Sequence, residues 1–270
     1  MTKKRIAVIG SESCGHSFVK CCLDEDLESV CFERTDDIGG LFRNQKNPEE
    51  GRVSISKLVI INTSKEMMCF SDYIIPDYYI NFMHNSQVLE YFRTYAKDFN
   101  LLKYIQFKVG SFKPDFYTSG QWEVVTECEE TKEVNFFDGV KLCTGHHTNV
   151  HLPLESFPGI EKFKGQYFHS QDYKNPEALD GKSVFIIVVN SGGDMAVEIS
   201  YTAKQVFLSI RSGAWILNCV GDHGYPFDVL HFSQLKHLIS KICSQPKHRY
   251  VLRMGMELVM AKIQDQGLFT

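Results

Sequence analysis

The chain opens with a short apolar run, KRIAVIG at residues 4–10, that breaks at Gly10. Apolar positions then recur at helical spacing through HSFVKCCLDED, and a second apolar run, ESVCFERTDDIGG, ends in charge. That succession predicts a strand–helix–strand unit. From 52 to 104 the pattern is irregular and aromatic, except in NSQVLEYFRTYAKDF, where periodicity predicts a helix with a polar cap near Asn85. Strands are expected in YIQFKVGSF, QWEVVTECE and FFDGVKLCTG. The stretch 148–182 holds Pro153, Pro158 and Pro176 with few periodic apolar residues, so it reads as a connection. The opening pattern then returns. KSVFIIVV, NSGGDMAVEISYTAK and QVFLSIRSG predict a second strand–helix–strand unit with its own turn of small residues. This duplication organises the sequence. Residues 213–270 add a basic helical piece at QLKHLISKICSQ and no visible chemistry.

Composition narrows the setting. A chain of 270 residues can bury a real core in one or two domains, and 43% hydrophobic residues with a net charge of -4 fit an ordinary globular protein. Such a balance gives no broad field for nucleic acid or anionic lipid. The nine cysteines are odd in number, scattered and without a C-x-x-C pair, the pattern of packing cysteines in a reduced compartment and not of a disulfide scaffold. The start MTKKRIAVIG passes from a basic cluster straight into a strand, unlike a signal peptide, and no run of 18 apolar residues occurs.

The chemistry sits in the turns. Residues 10–15 have the frame of the dinucleotide fingerprint G-x-G-x-x-G, with Gly10 for the tight turn and Gly15 for close helix–strand packing, but Glu12 holds the middle position. The helix N-terminus behind this loop suits a phosphate. Glu33 ends the second strand 18 residues after Gly15, where an acid accepts hydrogen bonds from ribose hydroxyls. The alternative is a glycine turn of any α/β protein with a solvated strand end. In the second unit the equivalent position, 19 residues after Gly192, is Arg211, a cation that accommodates a 2′-phosphate or else a plain surface charge. Asn62 and Ser64 lie between apolar runs, where an amide can face a cofactor ring or serve a cap or turn. His146, His147 and His151 match no zinc spacing, and no nucleophile elbow is present.

The segments CFERTDDIGGLF, INTSKEMMCFSDY, LCTGHH, NSGGDMAVEIS and GYPFD resemble the flavin-containing monooxygenases. FKGQYFHSQDY fits that family's signature F-x-G-x-x-x-H-x-x-x-[FY] through Phe163, Gly165, His169 and Tyr173. The resemblance implies an α/β fold of two Rossmann-like dinucleotide-binding units, one for FAD and a truncated one for NADPH, with domains at 1–155 and 156–270. It implies oxygenation of amines and sulfides by O2 through a C4a-hydroperoxyflavin, at the cytoplasmic face of the endoplasmic reticulum. It assigns Gly10, Ser11, Glu12, Ser13, Cys14, Gly15, Glu33, Gly40, Leu41, Asn62 and Thr63 to the FAD site, with Asn62 as the catalytic residue facing flavin and nicotinamide. Asn190, Ser191 and Gly192 would line the NADPH loop and Arg211 would meet its 2′-phosphate.

The sequence also departs from the family. Glu12 replaces the central glycine of the first loop. At about 5 Å and an effective dielectric near 20, like unit charges repel by about 3 kcal/mol, on the order of a hundredfold in affinity. In the second loop Val188 and Val189 stand where the family has glycines, and β-branched residues resist the positive φ of such turns. The stretch YIQFKVGSFKPDF is shorter than its counterpart. The chain ends at Thr270, near the midpoint of a full-length member, so sheet strands without neighbours and no membrane anchor are expected. A catalytically impaired remnant is therefore the competing reading.

Overall fold

Strand β1 (Arg5–Ile9) leads into helix α1 (Ser13–Asp24) and strand β2 (Glu28–Glu33), in the order expected. Helices α2 (Lys65–Met68) and α3 (Asn85–Asp98) follow, then strands β3 (Ile105–Phe107), β4 (Asp115–Phe116), β5 (Trp122–Cys128), β6 (Thr131–Phe137) and β7 (Gly139–Leu142). The second unit is β8 (Ser183–Ile187), α4 (Asn190–Ser200) and β9 (Gln205–Ser209), and α5 (Phe227–His231) is the last element among the described residues. The computed structural model describes residues 3–45, 54–110, 115–116, 120–128, 131–145, 149–187, 190–210 and 218–232. The chain divides into two compact units, Met1–Ile61 with Ile75–Trp215 and Asn62–Ile74 with Ile216–Thr270.

The first compact unit is built on a parallel sheet of order β3-β2-β1-β7. Side chains alternate across β1. Ala7 and Ile9 pack with Phe32 against Val124 and Phe137 of the antiparallel sheet β4-β5-β6. Val8 and Cys31 alternate to the other face and are fully buried. Helix α1 buries Val19 and Cys22, and helix α3 buries Val88, Tyr91, Phe92 and Tyr95. His16 of α1 is fully buried, its ring centroid 5.4 Å from that of Phe92 and 5.6 Å from that of Tyr95. Its Nδ1 lies 3.2 Å from the Ser11 carbonyl.

Three boundaries differ from the sequence reading, each for an identifiable reason. Helix α1 starts at Ser13, ahead of the expected HSFV, because the Glu12 carbonyl accepts from the amides of Gly15 (2.8 Å) and His16 (3.2 Å). The polar cap expected near Asn85 is found at His84, whose Nδ1 accepts from the Ser86 amide. Asn85 itself is buried, its side-chain amide directed at the carbonyls of Ser56, Lys57 and Val59. YIQFKVGSF yields only the short β3, because Lys108 turns the chain at a left-handed φ of 60°. FFDGVKLCTG is divided between two sheets: β6 ends at Phe137, Asp138 binds the Arg5 amide (2.8 Å), and β7 begins beside β1.

In the second strand–helix–strand unit β8 and β9 pair in parallel, register Phe185 to Phe207. Ile186 packs with Ile199, Leu179 and Tyr173. On the opposite face Phe185, Ile187 and Phe207 are exposed at 63%, 49% and 46%. In the second compact unit the Ser64 hydroxyl caps α2 and the Ser64 amide donates to Asp228 at 2.7 Å. The α/β class with parallel sheets is thus as expected.

Burial holds His16 below its ordinary pKa of 6.5, since the charged form is disfavoured inside the protein. The folded state then binds the proton less readily than the unfolded chain. Stability is complete above pH 6.5 and is lost as pH falls from there towards the folded pKa. The expected outcome is a midpoint of thermal unfolding that drops between about pH 7 and 5, with a shallower drop in His16→Leu. Parallel pH profiles for the two proteins would show that His16 carries no such linkage.

Candidate dinucleotide site

The loop between β1 and α1 is shaped by two glycines. Gly10 has a left-handed φ of 96°, and a Cβ there would meet the Cys143 carbonyl at 2.5 Å. A Cβ on Gly15 would meet the Gly10 carbonyl oxygen at 1.9 Å. The helix start therefore lies directly on the end of the strand, as a dinucleotide loop requires. Ser11 is fully buried, Ser13 and Cys14 form the first turn of α1, and Cys14 is exposed with its Sγ 3.3 Å from Cys143 Sγ. Gly40 and Leu41 form a single turn entered through Gly39 in the left-handed region.

The site's two acids are both turned onto the protein. Glu33, 9% exposed, receives the Ser11 amide (2.7 Å) and hydroxyl (2.8 Å) on Oε2. Its Oε1 receives the Thr35 amide at 2.9 Å, with the Thr35 hydroxyl 2.8 Å away. Those four contacts match the roughly four acceptor sites of a carboxylate. Arg43 reaches Thr35 Oγ1 at 3.3 Å and pairs with Asp36 at 2.7 Å, which steadies the far side of the cluster. Glu12 is half-buried and lies against Gly40 and Gly145. A methyl on Gly40 would meet Glu12 Cγ and Oε1 at 2.1 Å, and a Cβ on Gly145 would lie 3.5 Å from Oε2. The frame fits a dinucleotide. Its ribose acid is engaged by Ser11 and Thr35, and a carboxylate lies across the helix entrance, where a pyrophosphate binds in this kind of loop.

Among the expected residues, the structure thus gathers Gly10, Ser11, Glu12, Ser13, Cys14, Gly15, Glu33, Gly40 and Leu41 at one end of the parallel sheet. Asn62 and Thr63 belong to the second compact unit, where Asn62 is exposed and the Thr63 hydroxyl lies 3.4 Å from its side-chain oxygen. Asn190, Ser191 and Gly192 form the first turn of α4. Arg211, Val188, Val189, His146 and His147 lie outside the described residues. Among the described residues no group of three or more His, Cys, Asp or Glu could hold a metal, and no helix is long and apolar enough to cross a membrane. Sequence reasoning missed Thr35 and Gly145. A hydroxyl residue two places after the acid, and a glycine just past a predicted strand, were the available signals.

Two of the signature residues, His169 and Tyr173, make structural contacts. His169 Nδ1 accepts from the Gln171 amide at 3.1 Å, and Tyr173 is buried under α4. Beside them Lys174 donates to the carbonyls of Ser54 (2.8 Å) and Gln171 (2.6 Å), and burial lowers its pKa. Glu198 of α4, raised by burial, lies 3.5 Å from the Ser56 hydroxyl. The segment 54–57 is therefore strapped to the second strand–helix–strand unit.

Residues 3–264 match the family model described as flavin-binding monooxygenase-like. Human flavin-containing monooxygenase 5 is 75% identical over 250 residues, 91% of this chain and 47% of that protein. Dimethylaniline monooxygenase [N-oxide-forming] 2 of Cavia porcellus is 49% identical over 258 residues, 94% of this chain and 48% of that protein. The chain thus spans about half the length of the curated relatives it matches. The solved S-allyl-L-cysteine S-oxygenase of Allium sativum superposes with a TM-score of 0.74 at 24% identity, over 83% of this chain and 54% of that one, which shows a shared fold.

ADP tests the helix entrance directly. Glu12→Gln removes charge but keeps bulk, and Glu12→Gly removes both. Gly at this position is expected to tighten ADP binding by on the order of a hundredfold, with Gln intermediate. Equal dissociation constants for the three proteins, measured by calorimetry, would show that Glu12 leaves the phosphate path open.

Proposed function

Because the chain belongs to the flavin-binding monooxygenase-like family, we propose that it is an oxidoreductase unit that holds FAD on β1–α1–β2 and NADPH on β8–α4–β9, with weak retention of FAD. The domain division that goes with this reading is 1–155 for FAD and 156–270 for NADPH. The observation that carries it is the Gly10–Gly15 approach, the close helix–strand packing that a dinucleotide loop uses. FAD, when bound, would supply hydride acceptance from NADPH and the oxygenating chemistry.

The tasks of the chain's own residues follow. The amides at the start of α1 would face the pyrophosphate, and Glu33 would turn from Ser11 or Thr35 to a ribose hydroxyl. Gly40 brings backbone close to Glu12 at the same entrance. Asn62 would be the polar residue against the flavin and nicotinamide rings, with Thr63 beside it. Asn190, Ser191 and Gly192 would meet the NADPH phosphates at the start of α4, and Arg211 the 2′-phosphate. The substrates are soft nucleophiles, amines and sulfides taking one oxygen atom from O2, in keeping with the N-oxide-forming and S-oxygenase names of the relatives. The place of action is the cytoplasmic face of the endoplasmic reticulum, in the microsomal fraction.

A second reading, an impaired remnant, is favoured by the seat of Glu12 against Gly40. The two readings part on reconstitution. The purified chain is expected to carry less than stoichiometric flavin, to take up FAD when it is supplied in excess, and to gain occupancy with Glu12→Gly. NADPH should bleach the bound flavin faster than NADH, and Arg211→Ala should remove that preference. Trimethylamine-type tertiary amines and dialkyl sulfides then report oxygen transfer by mass spectrometry. Failure of both wild type and Glu12→Gly to bind FAD at saturation overturns the cofactor reading, whereas flavin binding without product leaves the remnant.

A further inference from the structure

We propose that Cys14 and Cys143 form a reactive thiol pair that closes to a disulfide in exchange with a small-molecule disulfide. The two sulfurs are 3.3 Å apart, one at the first turn of α1 and the other just past β7. A disulfide needs them to approach to about 2.0 Å, a shift of little more than 1 Å. The backbones are already committed to that proximity. The Cys143 carbonyl is what a side chain on Gly10 would strike, and Cys143 Cβ lies 3.6 Å from where a Cβ of Gly15 would sit.

Access differs between the partners, and this orders the steps. Cys14 is exposed, whereas Cys143 is buried at 4%. Burial, reinforced by the contact with Cys14, pushes the Cys143 thiol up to about 12, with Lys141 acting in the opposite direction. Cys14 is therefore the group that meets a disulfide arriving from solvent. As thiolate it attacks one sulfur of the small disulfide, forming a mixed disulfide and releasing one small thiolate, which takes up the proton lost by Cys14. Cys143 then gives up its proton and attacks Cys14 Sγ, and the second small thiol leaves with that proton. Two protein thiols are oxidised, and one small disulfide is reduced to two thiols.

The product would tie α1 to β7 across 129 residues of chain, on the two segments that flank Glu12. Among the described residues Cys21, Cys128 and Cys219 are also exposed, but the Cys14–Cys143 approach is given by the fold before any oxidant arrives.

The test treats the whole chain with oxidised glutathione, blocks remaining thiols by alkylation, and maps peptides without reduction. A peptide joining residues 14 and 143 is expected, with a thermal midpoint raised by several degrees and restored by dithiothreitol. Cys14→Ser, a substitution at an exposed position, should lose both the linked peptide and the shift and leave Cys143 as a free thiol. Wild-type Cys14 that ends as free thiol, as a lasting glutathione adduct beside reduced Cys143, or joined to another cysteine overturns the proposal.

Discussion

The contact on which the front of the first unit depends is the one between two backbones, the Gly10 carbonyl and the Cα of Gly15. No side chain can enter that gap, so strand and helix meet at a fixed distance and the intervening residues have few places to go. Ser11 is driven inward onto Glu33, and Glu12 becomes the residue before the helix, its carbonyl serving the first amides. The same closeness brings the end of β7 into the loop through Cys143. The helix start and the inward turn of Ser11 onto Glu33 thus follow from a single steric condition.

Much of this was legible in the sequence. Apolar runs and helical spacing located β1, α1, β2 and the whole of β8–α4–β9, because strands buried by a covering layer and helices packed on one side leave strong periodic marks. What escaped were junctions. The turn at Asp138 divides one apolar run between two sheets, and it depends on a hydrogen bond to Arg5 far away in sequence. The buried Asn85 is similar, since its amide is fixed by carbonyls of residues 56–59 that no local pattern reveals.

At the site, residue types were easier to read than their engagements. Glu12 was recognisable as a misfit in the fingerprint, and a side chain free to rotate outward would have been harmless. Its place against Gly40 and Gly145 depends on three loops converging, which is tertiary information. Glu33 was likewise recognisable as the acid at a strand end, while its capture by Ser11 and Thr35 was not. The family signature also changes meaning in three dimensions: His169 and Tyr173 organise a strap beneath α4, with Lys174 as its clasp.

The pairing of β1 with β7 has a temporal side. Ile6 lies beside Gly139, and the neighbouring Arg5–Asp138 hydrogen bond spans 133 residues. Local contacts allow β1, α1 and β2 to associate early, but the other edge of β1 has no partner until β7 has been made. At synthesis rates of about 5–20 residues per second, that interval is on the order of ten seconds. Closing so long a loop also places this pairing among the slow, high-contact-order events of folding. A nascent chain therefore carries an open apolar strand edge for most of the time that its first unit is being translated, and the short, single-residue hinge at Asp138 is the event that ends that exposure.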